Sequence, residues 1–128
     1  MGTENLCTVI NKTKGKLPSL PFDLIKNAIL GKEYELGIRC VSAKTQRQLN
    51  FTYRQKDKTT NVLSFPVSEN SGDITFDLSQ VKKDAPLFDM PYTQFLKFLF
   101  IHGCLHLKGF EHSSTMEKEE RKFMKKFS

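Results

Sequence analysis

Three histidines, His102, His106 and His112, fall inside the eleven-residue string HGCLHLKGFEH, and the chain has no others. An α-helix sets positions four apart only about 40° from each other around its axis, so His102 and His106 leave one helical face in the same direction. Gly109 is the residue type that ends a helix at least steric cost, and a chain that turns back there can return His112 to the first two rings. Three imidazoles meeting at one point can hold a single ion and leave a fourth position for water, as catalytic rather than structural zinc sites do. Zinc suits neutral imidazoles best, and nickel or iron would accept the same ligands.

The histidine string demands a long helix, and the rest of the chain supplies what that helix can pack on. Pro91 suits a first turn, and Phe95, Leu99, His102 and His106 then fall on neighbouring ridges of a helix reaching to about Leu107. Ahead of it, Leu6 to Ile10 reads as a strand. Phe22, Ile25, Ile29 and Leu30 recur at helical spacing until Gly31. Tyr34, Leu36, Ile38 and Cys40 alternate as a half-buried strand does. Ser42 is placed to cap a second helix that carries Leu49 and Tyr53 and delivers Arg54 at its far end. Val62 to Val67 is expected to be a strand closed near Pro66, Asp73 to Leu78 another strand, and Lys82 to Pro91 a proline-punctuated linker. From Thr115 an amphipathic helix is expected to pack on the domain, with Glu117 and Arg121 paired one turn apart; a dedicated RNA-binding tail is the alternative. This order of elements implies an α+β fold, a small mixed sheet layered with helices, in one domain spanning 1–128.

Composition narrows the class of protein. Hydrophobic residues make up 38% and charged residues 27%, a balance that fits a soluble globular chain rather than a disordered one. No apolar run approaches membrane-spanning length, which argues against a membrane partner. The start lacks a signal stretch, and Met1-Gly2 is not followed by Ser or Thr at position 6 as myristoylation requires, so a cytoplasmic location is expected. Cys7, Cys40 and Cys104 are odd in number and far apart, which suggests reduced, buried thiols. Cys104 falls on the helix face away from His102 and is expected to be a small core residue, not a ligand. Lys and Arg number 20 against 14 Asp and Glu, a net charge of +6 that favours a polyanionic partner, nucleic acid first.

One absence constrains the chemistry. Helical zinc proteases carry a Glu directly after the first histidine as general base, and here that position is Gly103. Glu111 beside His112 is the nearest carboxylate and could orient a ligand or receive a proton, but a side chain next to a ligand normally points away from the ion, which favours a solvated turn residue. A site without a local base suits reactions in which the ion itself activates water or polarises a phosphate. Phosphodiester cleavage also needs a cation for the charge that develops on phosphate, and the planar, permanently charged fork of an Arg serves well. Arg54, Lys56 and Lys58 form such a cluster just before a strand, with ordinary surface charge as the alternative reading.

HGCLHLKGFEH resembles the signature H-G-x-L-H-L-x-G-Y-D-H of the YbeY-type endoribonucleases. LNFTYRQKDKTTNVLSFP resembles that family's upstream block, and the GDI at Gly72 to Ile74 fits a third landmark. Together these cover the chain from about Ser42 to His112, with Phe110 and Glu111 standing where the signature has Tyr and Asp. The resemblance implies a zincin-like α+β metal-hydrolase domain in which His102, His106 and His112 bind one Zn2+. It implies that Arg54 is the catalytic or substrate-positioning cation; Lys56 and Lys58, from the basic cluster around it, are the substrate-binding candidates. It further implies a metal-dependent, single-strand-specific endoribonuclease of ribosomal RNA maturation, at the 3′ end of the small-subunit rRNA, and of ribosome quality control. Its partners would be single-stranded RNA, rRNA and the ribosome, in a bacterial cytoplasm or an organelle derived from one. A ribosome-associated RNA-binding module with a structural metal, or a metallohydrolase of another substrate class, are the rival readings.

Overall fold

Alternation along two strands builds the centre of the molecule. Leu36, Ile38 and Cys40 on β2 (Glu35–Cys40) and Ile74 and Phe76 on β4 (Ser71–Phe76) all face one side and are buried. The chain, a computed structural model that describes residues 6–128, places these two strands in parallel at the middle of a four-stranded mixed sheet. The Met1-Gly2 start lies outside the described residues. β1 (Cys7–Asn11) runs parallel to β2 on one edge, and β3 (Val62–Ser68) runs antiparallel to β4 on the other, giving the order β1-β2-β4-β3.

Two helices cover the apolar face. α1 (Phe22–Leu30) brings Phe22, Ile25 and Ile29 against α4 (Tyr92–Lys108), where Phe22 meets Phe100 edge-on at 4.9 Å. α4 buries Phe95, Leu96, Phe100, Ile101 and Cys104 completely, each large apolar side chain contributing roughly 1.5–3 kcal/mol. The long histidine helix is therefore the central core helix, as its spacing predicts. Gly103 explains how close it comes to the sheet: a Cβ there would stand 3.0 Å from Ile74 Cδ1. The same contact leaves no room for the zinc-protease Glu at this position.

Gln46 on α2 (Ala43–Arg54) reaches Thr75, whose side chain points away from that of Ile74 and Phe76, and the contact is polar. The helix carries Leu49 and Tyr53 as expected, while its buried residues are Gln46 and Asn50, and Tyr53 is more than half exposed, stacked on Phe65 at 4.7 Å. Gln46 donates to the carbonyls of Thr60 and Thr75 and accepts from Thr75 Oγ1, so its burial is fully compensated. The Ser42 cap is as expected, its hydroxyl accepting from the Thr45 amide.

Three boundaries differ from expectation. β3 continues through Pro66 to Ser68, which an edge strand permits because a missing N–H there breaks no ladder on the outer side. β4 stops at Phe76, because Asp77 accepts from the Gln80 amide and starts α3 (Leu78–Asp84). The expected linker from Lys82 is instead the end of α3 followed by a 3-10 turn (Ala85–Phe88) that has Pro86 at its start, where proline is tolerated. α5 (Ser114–Lys126) closes the chain against α4. Its ion pair is Lys122 with Glu119 at 3.9 Å, and among the described residues Glu117 and Arg121 are not paired. No helix of the described residues is long and apolar enough to cross a membrane.

Candidate metal centre

The three histidines converge. One ring nitrogen from each of His102, His106 and His112 lies within 4.8 Å of the others, and no Cys, Asp or Glu among the described residues joins the group. Ring centroids stand 4.5, 5.1 and 4.8 Å apart around the triangle. α4 supplies the first two from its last two turns. Gly109, at φ 113°, then ends the helix, with its amide on the His106 and Leu105 carbonyls. Ser113 caps α5 by accepting from the Met116 amide, so His112 sits on a short bridge fixed at both ends.

Hydrogen bonds set which nitrogen each ring offers. His102 Nδ1 stands 2.6 Å from Glu120 Oε2, and a carboxylate only accepts, so Nδ1 carries the proton. His106 Nδ1 faces the Phe110 carbonyl at 3.0 Å, and it too must donate. Both Nε2 atoms are then bare lone pairs, and they face each other at 3.0 Å. Two acceptors at that distance repel unless a cation lies between them. On His106 a proton is disfavoured: burial above all lowers its pKa, the charges of His102, His112 and Arg54 act the same way, and the Phe110 carbonyl offsets only part of this. Two imidazoles on one tetrahedral ion stand about 3.3 Å apart, so the donor set fits a transition metal.

Glu120 was not foreseen. It lies on α5, is 7% exposed, and shares the buried ridge of Met116 and Phe123. A carboxylate at an otherwise apolar position of an amphipathic helix was the available signal. Position 110, where the resemblance has Tyr, contributes a backbone carbonyl that Phe supplies equally well. Cys104 is fully buried and outside the cluster, and Glu111 is exposed and also outside it.

A cleft of about 770 Å³ opens over the triad, and Arg54, Lys56 and Lys58 line it together with the three histidines. The local fold explains their presentation. Gln55 ends α2 in the left-handed region at φ 57°, and Asn50 then holds the following loop by donating to the Lys58 carbonyl at 2.8 Å. Asp57, the carboxylate within this loop, pairs with Arg47 at 2.7 Å and does not line the cleft. The hydrogen bond to Arg47 holds its pKa below the usual range. What the loop gives the cleft is therefore cationic.

Comparison with known proteins agrees with this geometry. A family model described as Endoribonuclease YbeY matches residues 14–128. The chain is similar to the Endoribonuclease YbeY of Mycoplasmopsis synoviae (strain 53), with 37% identity over 105 residues, 74% of this chain and 68% of that protein. It is also similar to the Endoribonuclease YbeY of Colwellia psychrerythraea, with 40% identity over 96 residues, 70% of this chain and 62% of that one. The matched stretches thus span about two thirds of these relatives' length. Among solved structures, the solution structure of TM1509 from Thermotoga maritima aligns with a TM-score of 0.64 at 25% identity, over 94% of this chain and 88% of that one.

Proposed function

The chain belongs to the Endoribonuclease YbeY family, and from that premise we propose that it is a zinc-dependent endoribonuclease acting on single-stranded RNA. Its role is in ribosomal RNA maturation, at the small-subunit 3′ end, and in ribosome quality control, in a bacterial-type cytoplasm. The observation that carries this reading is the convergence of three imidazoles in one cleft with Arg54, Lys56 and Lys58.

His102, His106 and His112 hold the ion, and Glu120 and the Phe110 carbonyl fix the first two rings in the ligating tautomer. Zinc bound there supplies a Lewis acid for the phosphate and lowers the pKa of its water to about 7. Arg54 meets the negative charge that develops on the scissile phosphate, its fork fitting two phosphate oxygens at once. Lys56 and Lys58 hold the neighbouring phosphates as point charges. No side chain of the described residues closes the sphere as a fourth ligand, which speaks against a purely structural metal.

Cleavage of single-stranded RNA by the purified protein, with and without chelator, tests this reading beside Arg54→Ala and His102→Ala. The expected outcome is cleavage by the wild type alone and its loss on chelation. Equal cleavage by all three proteins would mean a contaminating nuclease. Steeply salt-dependent RNA affinity separates this reading from a hydrolase of small uncharged substrates.

A further inference from the structure

The segment expected to be a linker lines the cleft with residues the catalytic account does not use. Gln80, Asp84 and Phe88 recur every four residues along α3 and the 3-10 turn, and all three border the same cleft as the histidines. Phe88 is 54% exposed, unusual for a large apolar side chain on a cleft wall. It is not loose. One face of its ring stacks on the fully buried Phe95 at 4.9 Å, and the row of rings continues through Phe98, at 6.3 Å from Phe95, to His102, a further 6.2 Å on.

Asp84 stands one turn before Phe88. Its two oxygens accept from Asn61 Nδ2 at 2.9 Å and Gln80 Nε2 at 3.0 Å, which fixes the carboxylate's orientation. An ionised carboxylate has about four lone-pair positions, so acceptor capacity remains. A carboxylate in a phosphate-binding cleft would repel the backbone it serves if it faced phosphate. Beside a ring with an open face, it suits the amino edge of a base.

We propose that Phe88 is the stacking platform for one unpaired nucleobase of an RNA strand held in this cleft, and that Asp84 accepts from that base's exocyclic amino group. The inference rests on the ribonuclease reading above. The cleft then has two chemistries: Arg54, Lys56 and Lys58 take the phosphates, and the α3 segment takes a base. A base within a duplex is already stacked and paired, so only a splayed-out nucleotide can seat there, and single-strand preference follows from this contact.

Binding of a labelled single-stranded RNA to the full chain under chelator separates this from catalysis. Phe88→Ala is expected to weaken affinity about five- to 150-fold, the range for loss of one base–aromatic stack. Phe88→Tyr retains affinity, and Phe88→Leu, which keeps apolar packing, does not. The slope of affinity against salt stays the same, because no phosphate contact is lost. With an abasic nucleotide scanned along the strand, one position makes wild type and Phe88→Ala bind alike. Asp84→Asn weakens cytosine-bearing strands more than uracil-bearing ones. Wild type that binds and cleaves RNA while Phe88→Ala binds equally well overturns the platform, and equal losses for both bases overturn the role of Asp84. A wild type that neither binds nor cleaves RNA overturns the ribonuclease reading itself.

Discussion

Glu120 fixes the orientation of the His102 ring. Its carboxylate holds Nδ1 at 2.6 Å and so turns the lone pair of Nε2 toward His106. Glu120→Gln keeps the size of the side chain and removes the charge, and metal affinity is expected to fall about 10–100-fold, read by competition with a chelator. Unchanged affinity would mean that the contact serves packing alone. The histidines were legible in the sequence because one helix sets the geometry of two and a glycine the return of the third. Glu120 was not, because it reaches the site from another helix and nothing local to the histidines announces it. Cys40 allows a second test at this scale. Burial pushes its thiol up from 9.0 to about 11, so the folded chain keeps a proton that the unfolded chain sheds. The stability this gives is full below about pH 9 and is lost as pH rises toward 11. Urea midpoints at pH 8 and pH 10 should therefore drop in the wild type, and drop less in Cys40→Ala.

At the scale of elements, α2 and the loop after it form a cationic arm pinned from beneath by amides. Alternation and helical spacing were enough to find β2, α1 and α4, whose inner faces are apolar. The same reasoning found α2 and its Ser42 cap but missed its inner residues, Gln46 and Asn50, because polar residues read as solvent-facing until their partners are known. It also misjudged α3, where prolines suggested a linker although the Asp77 cap and the buried Leu78 and Val81 make a helix. Gln46→Ala removes three hydrogen bonds, two of them buried, and the loss should destabilise the fold by about 1–3 kcal/mol in urea unfolding. A shift within error would mean that α2 is held by other contacts. The arm itself is tested by salt. Each phosphate contact to a single strand contributes about 0.7 to the log–log slope, so Lys56→Ala with Lys58→Ala should make it shallower by about 1.4. An unchanged slope would return both lysines to ordinary surface charge.

For the whole molecule, a mixed sheet with α4 pressed against it provides the floor of one cleft that brings His102, His106 and His112 together with Arg54, Lys56 and Lys58. Gly72 and Ile74 of the GDI landmark belong to that floor: a Cβ at Gly72 would meet the Tyr34 hydroxyl at 2.5 Å, and Ile74 lies under Gly103. Both are packing residues, and they explain why a functional signature extends into the core. The carboxylate of the Arg54–Lys58 loop is turned aside to Arg47, so the loop presents only cations to a cleft whose other walls carry Asp84, Glu117 and Glu120. Three imidazoles that bind one ion would leave a fourth coordination position open. Reconstitution of the metal-free protein with Co2+, followed by its visible bands, tests this directly. One equivalent per chain is expected, with no stoichiometric binding by His102→Ala, His106→Ala or His112→Ala, and with bands that shift when a small anion such as azide is added. Bands that ignore the anion, or full binding after loss of any one histidine, would contradict it.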